Sequence, residues 1–180
     1  MKREISAACL CAALFAGVLP LAQAAKQTPK ASPELKSQDF FVGTWSLQGS
    51  TTFSPFGPGG QQFKSSEHLE WMPGGMFLFV QSYEASGKLA GITIIGYDVK
   101  EKVFTHTTYK SNGEIELAKG TAETDRWIWT ADATVAGKSV KDRFTINKTS
   151  SSTYSWVDEM KPAEGSTWSR VAEGTGTKTG

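Results

Sequence analysis

Phe41-Val42-Gly43-Thr44-Trp45-Ser46-Leu47 is answered near the far end of the chain by Trp168-Ser169-Arg170. A Gly-x-Trp at the entry to a first strand, with an Arg on the last strand, predicts a sheet closed on itself. In that arrangement Trp45 plugs one end of the sheet and Arg170 lies across its ring as a cation–π cap. The pair is therefore read as structural closure, and ligand chemistry is expected toward the other end.

Outward from Gly43, turn signals recur at short intervals. They include Pro58-Gly59-Gly60, Pro73-Gly74-Gly75, Ser86-Gly87, Asn112-Gly113, Ala136-Gly137 and Ser150-Ser151. Asn112-Gly113 reads as a two-residue type I′ turn, which needs positive φ at both positions. Between the turns lie segments rich in aromatic and β-branched residues, such as Phe77 to Tyr83, Ile92 to Val99 and Arg126 to Thr134. Sequential hairpins without a helical crossover give an antiparallel meander, and about ten twisted strands tend to curl and close. The predicted fold is all-β: a single antiparallel up-and-down β-barrel. Ser32-Pro33-Glu34 begins one short helix before it, with a Ser cap and Pro at the first helical position.

Period-two alternation assigns the inner face. Trp45 and Leu47 share a face, as do Glu67, Leu69 and Trp71, and Trp127, Trp129 and Ala131. Asp142 shares its face with Val140, Phe144 and Ile146, and Asp158 with Tyr154 and Trp156. A barrel of eight or more strands has room for a small ligand. The expected lining is Glu67, Trp71, His106, Trp127, Trp129, Asp142 and Trp156. Charges on such a face are costly unless paired, hydrated or near a mouth.

The start of the chain reads as an export signal. Lys2 and Arg3 precede an apolar run, and Ala22-Gln23-Ala24 supplies the small residues of a cleavage site. The expected organisation is a signal peptide over 1–24, a flexible leader over 25–32, the barrel over 33–174 and a disordered Gly/Thr-rich tail over 175–180. The expected location is secreted or periplasmic, with no membrane span in the mature protein. Both cysteines fall in the signal, so the mature chain has no disulfide and no thiolate chemistry. Without Lys2, Arg3 and Glu4 it carries 17 basic and 17 acidic residues. That balance favours neither nucleic acid nor an anionic membrane surface. A monomer is expected.

The stretch Phe41 to Leu47 resembles the opening strand of the calycin superfamily, which includes lipocalins and fatty-acid-binding proteins. Arg170-Val171-Ala172-Glu173 resembles the R-x-Y-E last strand of the latter. Ala172 stands where their ligand-binding Tyr would be, and Ser54 to Gly60 replaces their helical lid. Their carboxylate clamp is therefore not carried over. From Leu35 to Arg170 the chain is similar to a family of secreted bacterial lipocalin-like proteins defined as a domain of unknown function. The F-x-G-T-W start, Gly96-Tyr97-Asp98 and the Asn112-Gly113 hairpin carry that likeness. It implies the barrel and no particular reaction. Haem-binding barrels of the nitrobindin type share the G-x-W start but continue G-x-W-x-G-x-G, where this chain has Leu47. They also take an axial His from a late strand, and here none follows His106.

No catalytic residue, metal site or cofactor is assigned. His68 and His106 are the only imidazoles and lack metal-ligand spacing. Gly-x-Ser-x-Gly is absent, and the paired glycines precede strands rather than helices. The first expectation is a barrel binding a small, largely apolar molecule. Two alternatives are a small enzyme using an inward carboxylate or His106 as acid or base, and a filled barrel whose loops touch a partner protein.

Overall fold

The computed structural model describes residues 30–180; the stretch expected to be a signal peptide and most of the expected leader lie outside the described residues. A 3₁₀-helix over Pro33–Phe41 is followed by β1 (Gly43–Thr51), β2 (Gln62–Trp71), β3 (Leu78–Glu84), β4 (Leu89–Asp98) and β5 (Val103–Lys110). Then come β6 (Ile115–Glu123), β7 (Arg126–Val135), β8 (Lys138–Lys148), β9 (Thr153–Pro162) and β10 (Ser169–Lys178). Each strand pairs antiparallel with the next, and β1 pairs with β10 to close a ten-strand barrel. The all-β up-and-down barrel expected from the turn spacing is what the chain forms.

The helix seats in one end of the barrel. A 3₁₀-helix has three residues per turn, so side chains three apart eclipse one another. Leu35, Gln38 and Phe41 thereby form one row, and all three are buried. Phe41 meets Trp127 edge-on at 4.7 Å, and Phe40 stacks on Trp127 at 5.6 Å. Trp45 completes this plug, its Nε1 donating to the Phe41 carbonyl at 2.8 Å. We call this the helix end. The opposite, loop end carries residues 52–61 and the β3–β4, β5–β6, β7–β8 and β9–β10 connections.

Three expectations need correction. Arg170 does not cap Trp45. In an antiparallel closure the start of β1 faces the end of β10, so Trp45 pairs with Lys178 and Ala172 with Thr51. The Lys178 ammonium stands 5.3 Å from the Trp45 ring. Arg170 lies at the loop end and binds the Glu173 carboxylate at 2.7 Å. Trp168 takes its cations from Arg143 at 4.2 Å and Lys161 at 5.5 Å.

The tail does not fray after Glu173. Its glycines are needed because aromatic rings press on the strand: a Cβ on Gly174 would lie 2.5 Å from Trp156 Cζ2, and one on Gly176 would lie 2.3 Å from Tyr154 Cζ. Glycine inside a strand marks close approach as readily as looseness. The type I′ turn is Ala136-Gly137, at φ 49° and 77°, joining paired Val135 and Lys138. At the β5–β6 hairpin only Gly113 has positive φ, and Lys110 bonds across to Glu114 around a three-residue loop.

Candidate functional site

Alternation along ten strands leaves a cavity of about 300 Å³ inside the barrel. Its walls are apolar toward the helix end, with Phe41, Leu69, Val80, Ile95 and Ile146. Leu47, Trp129 and Phe144 continue the lining. Solvent approaches from the loop end. Trp45, Leu78 and Trp127 at the helix end are 1%, 0% and 2% exposed, whereas Phe63 at the loop end is 38% exposed.

Set into these walls are four carboxyls: Glu67, Glu116, Asp142 and Asp158. Glu67, on β2, pairs in register with Ser82 of β3, whose hydroxyl donates to Glu67 Oε1 at 3.1 Å. Burial raises the Glu67 pKa, and the Ser82 hydrogen bond offsets part of that. Asp142 pairs with Met160, and Phe144 with Asp158, so the two aspartates are diagonal neighbours on the inner face of β8 and β9. Each carboxyl acts on the other's titration, as expected of two carboxyls close enough to share one proton. Burial first, then that partner, push Asp158 up to about 8; burial also raises Asp142. Among the described residues, Asp142 Oδ1 and Asp158 Oδ1 are buried and have no hydrogen-bond partner.

Positive charge is scarce here. Among the described residues, the lining contains one imidazole and no Lys or Arg. His106, on β5, meets Trp129 at 5.1 Å between ring centroids and lies 3.4 Å from Thr108 Oγ1 through Nδ1. Burial lowers its pKa, against the pull of Glu116. The imidazole is therefore neutral at pH 7. At the rim Lys110 pairs with Glu116 at 3.0 Å and with Glu114 at 3.5 Å. Among the described residues, no three His, Cys, Asp or Glu side chains are grouped to hold a metal ion.

Of the seven lining residues expected from sequence, Glu67, His106, Trp129 and Asp142 do line the cavity. Trp71 does not: it lies outside the plug, donating to Asp39 Oδ1 at 2.9 Å. Trp127 belongs to the aromatic plug itself. Trp156 is buried beside Phe144 at 5.4 Å and Phe63 at 5.8 Å, behind the lining rather than on it. Alternation carries no information on height along the barrel, which removes Trp71 and Trp127; Trp156 stands between the lining residues Tyr154 and Asp158, but its ring lies against Gly49 and Gly174.

Among the lining residues that the sequence reading did not assign to the site are Asp158, Glu116, Thr93 and Gln38. Asp158 and Glu116 follow from alternation with Trp156 and Ala118. Thr93 is buried and pairs with Thr108 at 2.7 Å between hydroxyls. Gln38 had no sequence signal at α-helical spacing; only the 3₁₀ period turns it inward. It is fully buried, lines the cavity, and neither Oε1 nor Nε2 has a protein partner.

Comparison with known proteins bears on the fold. No family model and no curated protein matches the chain. The crystal structure of Rv2717c from M. tuberculosis is similar at TM-score 0.52 and 14% identity, over 83% of this chain and 99% of that one. The structure of EF1p2_mFAP2b bound to DFHBI matches at TM-score 0.38 and 15% identity, over 81% of this chain and 99% of the other. The first likeness supports the closed barrel fold. The more specific kinship with a secreted lipocalin-like family finds no matching family model.

Proposed function

We propose that the protein binds one small, largely apolar molecule inside the barrel, admitted from the loop end. The observation that carries this reading is the cavity of about 300 Å³, lined by apolar side chains with a few polar groups pointing into it. Ligand sites typically run from ~300 to ~1,000 Å³, so the ligand is small. A filled barrel acting only through its loops fits this interior poorly, although Phe53 in the β1–β2 loop is 85% exposed. Native mass spectrometry and intrinsic Trp fluorescence, run against a library of lipids and small aromatics, test the reading. It expects saturable 1:1 binding; no binding by any member would overturn it.

The sequence adds export through residues 1–24 and action in the periplasm or outside the cell. No helix among the described residues is long and apolar enough to cross a membrane. All ten strands are paired on both sides, leaving no open edge for a second copy, which favours a monomer.

A second reading, acid–base chemistry on the bound molecule, is favoured by the Asp142–Asp158 pair. Two carboxyls sharing one proton supply an acid and a base at a single point. It requires that Asp142→Asn abolish turnover of a bound molecule while leaving its affinity intact.

A further inference from the structure

Resting on the binding reading above, we infer that the cavity selects an organic cation: a small primary amine on an aromatic or aliphatic body. The ammonium would sit at the Asp142–Asp158 pair and the body would lie along Trp129 and Phe144.

Three observations lead there. Among the described residues, four carboxyls line one space and His106, held neutral by burial, is its only basic lining side chain. The Lys nearest to them, Lys110, is already engaged by Glu114 and Glu116 at the rim. Glu116 thus has its counter-charge, whereas Glu67, Asp142 and Asp158 have no ion-pair partner among the described residues. Buried carboxylates in that condition destabilise a fold unless something pairs with them.

The second observation is the orphaned hydrogen-bonding capacity. Asp142 Oδ1 and Asp158 Oδ1 are buried and unpartnered, and acceptor oxygens of this kind suit the donors of an ammonium. Gln38, fully buried at the cavity's helix end, also leaves its amide oxygen and nitrogen unpaired. The aspartate pair and Gln38 thus offer two separate polar points to a ligand whose body lies on the apolar walls.

The third is what surrounds the carboxyls. Trp129 and Phe144 line the same space, and aromatic faces add to the attraction for a cation. A metal ion is the poorer match, since no third ligand joins the pair. An anion or fatty acid meets four acidic side chains and no free base.

The test uses three indoles of similar size: tryptamine, neutral 3-ethylindole and indole-3-acetate. Each is titrated into the mature protein at pH 8.5 by isothermal calorimetry. The expected result is tryptamine at least tenfold tighter than 3-ethylindole, with indole-3-acetate weakest. In the Asp142→Asn/Asp158→Asn double variant, which preserves shape, that preference should vanish while 3-ethylindole still binds. Equal or tighter binding of 3-ethylindole to the parent protein would overturn the amine proposal and leave the binding reading standing. So would a tryptamine preference that survives in the double variant. If none of the three binds, the amine proposal falls, and the library screen decides the broader reading independently.

Discussion

The Lys178 ammonium stands 5.3 Å above the Trp45 ring and 3.3 Å from the Phe40 carbonyl oxygen, so the last strand clamps the first strand and the helix together. Trp45 is 1% exposed, and Trp45→Ala should cost about 3–5 kcal/mol by denaturant unfolding. Deleting 175–180 should also destabilise, because Lys178 and Thr179 donate backbone bonds to Ser152 and Thr44. Arg170→Ala, which removes an exposed pair, should change stability by less than ~0.5 kcal/mol. Equal losses for Arg170→Ala and Trp45→Ala would refute this picture of the closure.

Gly174 and Trp156 form a second coupled pair. A methyl on Gly174 would meet the Gln48 carbonyl oxygen at 2.1 Å as well as the indole at 2.5 Å. Gly174→Ala should therefore lower stability by about 1–3 kcal/mol. The same change in a Trp156→Leu background should recover little, because the backbone clash persists. Thermal melts of the single and double variants check this.

That pair also shows where sequence reading stops. The barrel was legible because turn residues and period-two alternation are local signals, and ten strands in hairpins have one natural closure. The glycines of β10 looked like a fraying tail because their reason lies on β9, in rings that no local pattern reveals. Height along the barrel is likewise non-local, which is why Trp71 and Trp127 read as cavity wall, and the direction of the Trp156 ring, laid against Gly49 and Gly174, is non-local too. Asp142 and Glu67 were legible as charges on an apolar face. Their lack of basic partners became visible only once all ten strands were assembled.

The carboxyl pair gives a sign for pH dependence. Asp158 titrates at about 8 in the folded state, above its ordinary value of 3.8. Between those values the folded chain holds a proton that the unfolded chain has released, so stability falls as pH rises through that window. His106 works the other way, its lowered pKa reducing stability as pH falls below about 6.5. Glu67, Glu116, Lys110 and Tyr154 face or approach the same space, so the pair is isolated by substitution rather than by pH alone. Asp158→Asn should raise Tm at pH 8.5 by about 3–8 °C and change it less at pH 5. A lower Tm at pH 8.5 would contradict the assignment.

Gln38 separates stability from binding. Replacing its unpartnered amide by an apolar side chain of similar size removes a desolvation penalty of ~1–3 kcal/mol. Gln38→Leu should thus be neutral or stabilising in chemical denaturation. The same variant should weaken any ligand that hydrogen-bonds at the helix end. Destabilisation by more than ~1 kcal/mol would mean that the amide is satisfied within the fold.

The central claim is that the interior admits a ligand, and the most direct measurement is fluorescence titration with the neutral apolar dye N-phenyl-1-naphthylamine. Ala131, on the cavity wall, supplies the control, because Ala131→Phe fills the space from within. Saturable 1:1 enhancement in the parent protein, lost in a folded Ala131→Phe variant, is the predicted result. No enhancement, or enhancement unchanged by Ala131→Phe, would contradict it.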